Sequence, residues 1–424
     1  MTIPHRTNPG CRVQGSGVGA LASSPEPLTQ NVFQTARERL LAELSDELRA
    51  LDDAGLRRSL TSVDAIDGPL VRIGGKELVC WCSNDYLGLS THPALASAAA
   101  KAAAEWGVGA RASRLLAGTT SWHTRLEASL AAWLGAEAAI VFPTGYMTNL
   151  GTLGALLSSG DTVFVDRLAH ASLLDAARQA RATFKVFRHT DPAHLAQLLA
   201  RAKSTRRRLI VTEGVFSMDG DLAPLSDLAE VAEAHEAIMY VDDAHGAFVL
   251  GERGRGTPEA FGVPHERFIY MGTLGKAVGC QGGFVVGPTT LIDFLRNRAR
   301  TFLYATALAV PVAAAAVAAL RLLHDEPTRR QRLRDRLARL QAKLAQLQGS
   351  PKTISSPIVP LVVGHATRAL ELARRLWERG HWVPAIRPPT VPKGTARLRL
   401  GVTALHTDAQ IDSLARALRS ALAE

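Results

Sequence analysis

The amino-acid sequence predicts an α/β protein with a mostly parallel central sheet and a smaller α+β domain at its C-terminal end. Short apolar runs recur at Ala139-Ile140-Val141-Phe142, Val163-Phe164-Val165, Phe184-Lys185-Val186-Phe187, Leu209-Ile210-Val211-Thr212, Ile238-Met239-Tyr240-Val241 and Phe268-Ile269-Tyr270-Met271. Helical segments separate them, the rhythm of βα units whose parallel sheet is covered on both faces. Several runs end in residues that do chemistry, and open α/β sheets gather ligands outside the carboxyl ends of their strands. Beyond about residue 320 the pattern changes to a long amphipathic helix marked by Leu333, Leu337, Leu340, Leu344 and Leu347. Strands over 358–363, 382–386 and 397–402 then alternate with helices.

A chain of 424 residues is long enough for one large core and an appended domain, since single cores stop growing near roughly 250–300 residues. The expected division is a disordered leader over 1–30, a helix and strand segment over 31–84, a large domain over 85–320 and a small one over 321–424. Net charge is +10, but the basic residues are spread along the chain. Only Arg206-Arg207-Arg208 forms a run, and no aromatic residues interleave it, which argues against nucleic acid and for an anionic substrate or carrier. Of the four cysteines, Cys80 and Cys82 are the close pair, a spacing that suits neither a zinc site nor a redox pair. Free thiols in a reducing cytoplasm and no metal are expected. Residues 302–320 carry no charge, yet they are largely alanine and contain Pro311. That composition predicts a buried helix with proline in its first turn, not a membrane span.

In chain order, Leu40, Leu44, Leu48 and Leu51 recur at helical spacing within 32–56, an amphipathic helix that Arg57-Arg58 follow. Ser83-Asn84-Asp85-Tyr86-Leu87-Gly88-Leu89 leads into a helix at Pro93. The glycine-rich loop 107–118, with Ser113-Arg114, is suited to approach a phosphate or a partner subunit. Pro143-Thr144-Gly145-Tyr146 joins a strand to a helix over 147–157, and glycine there leaves bare N–H groups at a helix N-terminus, a phosphate site. His170 and Ser217 follow further strands.

Two stretches carry the chemistry. In Thr273-Leu274-Gly275-Lys276 a lysine is held on a tight turn before Gly282-Gly283 and Phe284-Val285-Val286. A lysine fixed in a desolvated pocket can bond covalently to a carbonyl cofactor. In Asp242-Asp243-Ala244-His245-Gly246 a carboxylate ends a buried strand, the partner that the ring nitrogen of pyridoxal 5'-phosphate needs. Between the C-terminal strands, Pro388, Pro389 and Pro392 stiffen a loop that presents Arg387, whose planar guanidinium suits a carboxylate.

Together, Asn84-Asp85-Tyr86-Leu87-Gly88, His170-Ala171-Ser172-Leu173, residues 213–221, Asp242 to Gly246, Thr273 to Lys276 and the loop 386–392 resemble the α-oxoamine synthase family. These are fold-type-I, aspartate aminotransferase-like pyridoxal phosphate enzymes, and the resemblance runs from about residue 31 to 424. It implies that Lys276 carries the cofactor and moves a substrate α-proton, that Asp242 pairs with the ring nitrogen, and that His170 stacks on the ring. His245 and Ser217 would flank the ring hydroxyl, and Gly145, Tyr146 and Thr273 would serve the phosphate. Arg387 and Asn84 would hold an amino-acid carboxylate, Thr390 would contact substrate beside it, and Arg57 would reach the acyl end or its carrier. The loop at Arg387, followed by Gly394-Thr395-Ala396-Arg397-Leu398-Arg399-Leu400, favours the branch that condenses L-alanine with a pimeloyl thioester of coenzyme A or acyl carrier protein. Sister synthases that use glycine or serine share the cofactor residues, and a silent partner subunit would not need both Lys276 and Asp242. A homodimer is implied, because fold-type-I relatives build their sites at a subunit boundary. Departures from the usual family pattern stand at Leu274, Ala277-Val278 and Ala110-Arg111-Ala112. The first two bear on pocket width and the last on the dimer boundary.

Overall fold

The computed structural model describes residues 28–424 apart from 203–205, 346, 348–350, 352 and 354. The expected disordered leader therefore lies outside the described residues except for 28–30, which begin a helix. The chain divides into two units, Met1–Arg58 and Ser59–Glu424. In the first, α1 (Leu28–Asp53) carries the leucine stripe, and Leu40, Leu44, Leu48 and Leu51 are all exposed on it. Arg57 follows the helix and pairs with Asp52 at 2.5 Å.

The second unit opens with β1 (Ala65–Asp67), β2 (Leu70–Ile73), β3 (Lys76–Cys80), α2 (Pro93–Trp106) and α3 (Ser121–Leu134). The βα rhythm follows: β4 (Ala138–Phe142), α4 (Gly145–Leu156), β5 (Thr162–Asp166), α5 (Ala171–Gln179), β6 (Thr183–Phe187), α6 (Pro192–Arg201), β7 (Arg208–Glu213), α7 (Leu225–Ala234), β8 (Ile238–Asp242), α8 (Thr257–Ala260), β9 (Phe268–Thr273) and β10 (Gly283–Gly287). Then come α9 (Thr289–Arg298), α10 (Arg300–Leu303), α11 (Val310–Asp325), α12 (Thr328–Leu344), β11 (Ile358–Gly364), α13 (Ala366–Glu378), β12 (His381–Trp382), β13 (Ala385–Ile386), β14 (Ala396–Gly401) and α14 (Asp408–Ala423).

The central sheet has seven strands in the order β4-β10-β9-β8-β7-β5-β6. The ladders β6·β5, β5·β7, β7·β8 and β8·β9 are parallel, as the apolar runs predict. β10 runs antiparallel to β9 and β4. Only the lysine turn separates β9 from β10, too short a connection for the crossover that a parallel neighbour needs. Helix α11 has Pro311 in its first turn and buries Val310, Ala313, Ala316, Leu320 and Leu323. Among the described residues no helix is long and apolar enough to cross a membrane.

One expected strand is divided. Over 382–386 the chain makes two short pairings, β12 parallel to β3 and β13 antiparallel to β14. Pro384 stands between them and has no N–H to continue a ladder. The C-terminal segment thus completes a four-stranded sheet, β1-β2-β3-β12, with the N-terminal strands, besides its own three-stranded sheet β11-β14-β13.

Arg114, in the glycine-rich loop, is tied to the scaffold. Its guanidinium is committed to Glu127, at 2.8 and 3.1 Å, with both groups buried. Glu127 also accepts from Val141 N–H at 3.0 Å, which satisfies a donor on edge strand β4. Removing one member of a buried pair leaves the other charge uncompensated, at a cost of about 3–5 kcal/mol. Glu127→Ala should lower unfolding stability in urea by about that amount. A loss under about 1 kcal/mol would mean that the pair behaves as a surface bridge.

Candidate active site

The turn after β9 is stitched by its own backbone and by one hydroxyl. Leu274 N–H donates to Gly282 O at 2.9 Å and Cys280 N–H to Leu274 O at 2.8 Å. Thr273 Oγ1 donates to Gly282 O at 2.8 Å and accepts from Gly275 N–H at 3.1 Å. Gly279 has φ 70°, and a Cβ there would collide with the backbone of Ser90, so glycine lets the turn lie against the loop after Asp85. Gly283 serves a second close approach, since a Cβ on it would stand 2.7 Å from Gly145 Cα at the start of α4. Leu274, Ala277 and Val278 are core residues. Their departure from the family pattern therefore falls behind the cavity wall and not in it.

Lys276 Nζ lies 2.8 Å from His245 Nε2. Burial lowers the lysine to about 8, although the carboxylates of Asp242 and Glu213 pull the other way. His245 is held well below its usual value, by burial first and then by the charge of Lys276. A neutral imidazole that accepts at Nε2 donates at Nδ1, and Nδ1 faces Tyr86 Oη at 2.6 Å. Tyr86 in turn donates to Asn84 Oδ1 at 3.0 Å, and Arg399 Nη2 donates to the same oxygen at 3.2 Å. Arg399 is buried, and its Nε donates to Ser217 O at 2.6 Å. One line of hydrogen bonds thus runs from the amine to a guanidinium on β14.

A second line starts at Asp242. Its Oδ2 accepts from Asn149 Nδ2 at 2.7 Å and its Oδ1 from Ala244 N–H at 3.0 Å. Asn149 also donates to Ser172 Oγ at 2.8 Å and accepts from Tyr240 Oη at 2.6 Å. His170 Nδ1 receives Ser172 N–H at 3.3 Å and lies 2.8 Å from Ser172 Oγ. Two donors at Nδ1 put the ring proton on Nε2, and burial keeps the imidazole below its ordinary value. Glu213 is buried beside Asp242. Burial and then the neighbouring carboxylate push it well above the carboxyl range.

These lines meet at a cavity of about 190 Å³ walled by Gly145, Tyr146, His170, Asp242, His245, Thr273 and Lys276 from the expected set. Tyr146 meets His170 edge-on, with ring centroids 6.5 Å apart, and its hydroxyl bonds Asp175. The remaining expected residues do not line it. Asn84 stands behind it through Tyr86, and Ser217 is held by its carbonyl. Arg387 and Thr390 share the loop between β13 and β14, where Thr390 N–H donates to Arg387 O at 3.1 Å. Arg57 belongs to the first unit. Asn149, Ser172 and Glu213 add polar groups to the wall, and Tyr86 and Arg399 back it. Sequence spacing assigns no role to Asn149, Ser172, Glu213, Tyr86 or Arg399. Tyr86 and Glu213 sit inside the motifs already singled out, whereas Asn149 is marked only by being polar in an apolar helix.

The donor set suits a planar anionic carbonyl cofactor: an amine to bond the carbonyl, a carboxylate for a ring nitrogen, an imidazole for the ring face and a helix N-terminus for an anion. A group of side chains able to hold a metal ion is not found among the described residues.

Comparison with known proteins gives the family. Residues 76–418 match the family Aminotransferase class I and II. An 8-amino-7-oxononanoate synthase of Anaeromyxobacter sp. (strain K) is 50% identical over 376 residues, 89% of this chain and 94% of that protein. Another, of Thioalkalivibrio sulfidiphilus, is 48% identical over 89% of this chain and 97% of its own length. Among solved structures, serine palmitoyltransferase from S. paucimobilis with bound PLP-myriocin superposes with a TM-score of 0.85 at 32% identity, over 89% of this chain and 96% of that one. The 8-amino-7-oxononanoate synthase of Francisella tularensis gives 0.70 at 27% identity, over 82% of this chain and 98% of that one. Motif order, sheet topology and half-identical relatives agree, and the chain belongs to the 8-amino-7-oxononanoate synthase family within aminotransferase class I and II.

Proposed function

We propose that the chain is a pyridoxal 5'-phosphate-dependent acyltransferase of biotin biosynthesis. It condenses L-alanine with a pimeloyl thioester, on coenzyme A or acyl carrier protein, to 8-amino-7-oxononanoate, carbon dioxide and the free thiol. The observation that carries this reading is the meeting of Lys276, Asp242 and His170 in one cavity, in a chain half identical to synthases of that name. The cytoplasm suits these substrates and the reduced thiols of Cys80, Cys82 and Cys280.

Bound here, pyridoxal phosphate supplies an electron sink for negative charge at the amino-acid α-carbon. Lys276 would hold the cofactor through its amine, and that amine, once displaced by the amino group of alanine, would take the α-proton. Its lowered pKa of about 8 leaves part of the amine unprotonated near neutral pH, as a base requires. His245 aims Nζ, and Asp242, fixed by Asn149 and Ala244 N–H, holds the proton of the ring nitrogen. His170 would lie on the ring face, Ser217 and His245 would serve the ring hydroxyl side, and Gly145, Tyr146 and Thr273 would serve the phosphate. The alanine α-carbon bonds to the thioester carbonyl carbon and the carrier thiolate leaves. The carboxylate then departs as carbon dioxide, and a proton returns to the carbon. Holding both substrates in place removes roughly 7–11 kcal/mol of entropic barrier in well-oriented systems.

Arg387 and Arg399 would be the cations for the alanine carboxylate, with Asn84 and Thr390 beside them. A second copy completes the enzyme. Val108, Leu115, Leu116 and Tyr304 are 81%, 58%, 79% and 72% exposed. Their loops are joined by the Ser113–Thr306 bridge and by Ala307 N–H to Ala112 O at 3.0 Å, which makes one apolar face suited to a homodimer.

Serine palmitoyltransferase is the specific competitor, given its TM-score of 0.85. Purified protein with pyridoxal phosphate should release thiol from a pimeloyl donor with alanine, and little from acetyl or palmitoyl donors with glycine or serine. Faster release with any other pairing would overturn the substrate assignment. Lys276→Ala should abolish turnover, and borohydride should no longer fix cofactor to the chain. Replacing Arg387 with lysine keeps the charge and loses the planar fork, so alanine binding should weaken by about ten- to a hundredfold. An affinity within about twofold of wild type, on the same scale, would hand the carboxylate to Arg399. Light scattering should give twice the 45.3 kDa of one chain, and Leu116→Asp should shift it toward monomer. An active wild-type monomer would refute the shared face.

A further inference from the structure

One imidazole joins the ends of β5 and β6 to the loop after β7. His189 follows β6, with Nδ1 2.9 Å from Asp166 Oδ1 and Nε2 2.8 Å from Asp221 Oδ2. Carboxylate oxygens only accept, so both ring nitrogens donate and the ring is an imidazolium. Asp166 closes β5 just ahead of His170, is fully buried, and also accepts from Leu168 N–H at 2.8 Å and Thr190 N–H at 2.9 Å. Asp221 ends the loop that carries Ser217, and its Oδ1 is buried with no hydrogen-bond partner among the described residues. Its side chain is thus held through His189. Phe216, beside Ser217, meets the imidazole edge-on with centroids 4.4 Å apart.

The backbone marks the same place. Thr190 has φ 50°, a conformation that a β-branched residue adopts only when its surroundings impose it, and its N–H is the one that Asp166 captures. Such strain concentrates where geometry serves function.

We propose that His189 is a positioning residue for the cofactor cavity: clamped between Asp166 and Asp221, it locks the loop bearing His170 to the loop bearing Ser217. None of its three residues lines the cavity. The clamp acts by fixing where the ring-facing imidazole and the Ser217 loop stand, and it rests on the reading of this cavity as a pyridoxal phosphate site.

Its pH dependence follows from the charge. The groups facing the ring are Asp166 from the end of β5 and Asp221 from the loop after β7. On its own segment Arg188 turns to Asp191 at 2.7 Å, and His194 Nδ1 accepts from Arg188 N–H at 2.9 Å. Burial alone would lower the imidazole, but the two carboxylates outweigh it and raise it to about 10. A raised value means that the clamp is fully present below the unfolded value of about 6.5. It is lost as pH rises through about 10.

The test uses the full chain with His189→Gln, His189→Phe and Asp221→Asn. Without cofactor, hydrogen exchange at residues 166–170 and 216–221 should accelerate at least about tenfold in His189→Phe, while β8 keeps its protection. Pyridoxal phosphate dissociation constants should rise by about ten- to a hundredfold, with His189→Gln and Asp221→Asn in between because one carboxylate contact survives in each. Wild-type affinity should fall as pH approaches 10, and the His189→Gln profile should be flat there. Dissociation constants and loop exchange within about twofold of wild type in all three variants would overturn the clamp. If His189→Phe does not fold, the other two variants decide it by the same readouts. If the wild type takes up no pyridoxal phosphate, the functional reading fails, and the exchange measurement still supports or overturns the clamp.

Discussion

The contact between Lys276 Nζ and His245 Nε2, 2.8 Å long, is what the rest of the site depends on. An amine taken out of water is strongly disfavoured in its charged form, and burial shows in its lowering to about 8. It remains usable because a neutral imidazole accepts from it and a carboxylate stands nearby. The imidazole can accept only because Tyr86 takes the proton on its other nitrogen, and Tyr86 can do so because Asn84 takes its own. A buried polar chain of this kind has one self-consistent pattern of donors, so each member fixes the next. The loop before α2, the loop after β8, the turn after β9 and strand β14 are thereby held in one arrangement.

Around this line the fold solves a packing problem. The lysine turn must lie close to the loop at Ser90 and the start of α4 close to β10, and both approaches exist only because glycine stands at 279 and 283. Asp243 shows the same economy next door. Its carboxyl accepts from Thr257 N–H, Thr257 Oγ1 and Tyr270 Oη at 2.7, 2.5 and 2.7 Å. Gly214 and Gly246 leave room for it. Burial raises Asp243 to about 7, and its three donors tie it to α8 and β9, while Asp242 beside it faces the cavity.

Charge is sorted by distance from the reacting position. At the wall are a weakened amine, two neutral imidazoles, the carboxyl of Asp242 and that of Glu213, which burial pushes up. Fully committed ion pairs stand further off, such as Arg114 with Glu127 and His189 with Asp166 and Asp221. The division suits a site that binds an anionic cofactor and moves protons. Pairs already neutralised hold the scaffold, and groups whose proton affinity burial has shifted toward neutrality do the work.

By itself the sequence determined the class of sheet, the strand ends that carry chemistry and the residues most exposed to it. Those are local patterns: apolar runs set the strands, and motifs such as Thr273-Leu274-Gly275-Lys276 and Asp242-Asp243-Ala244-His245 name the groups at their ends. Seven of the expected residues do meet at one cavity. Tertiary structure decided the partners. Asn149 pairs with Asp242 and Arg399 with Asn84 across separations of 93 and 315 residues, which no periodicity reports. It also split the expected strand over 382–386 and sent its halves to different sheets. Hydrogen bonds that close long loops depend on which strands pair and in what register, and those are properties of the folded sheet, not of any single stretch of chain.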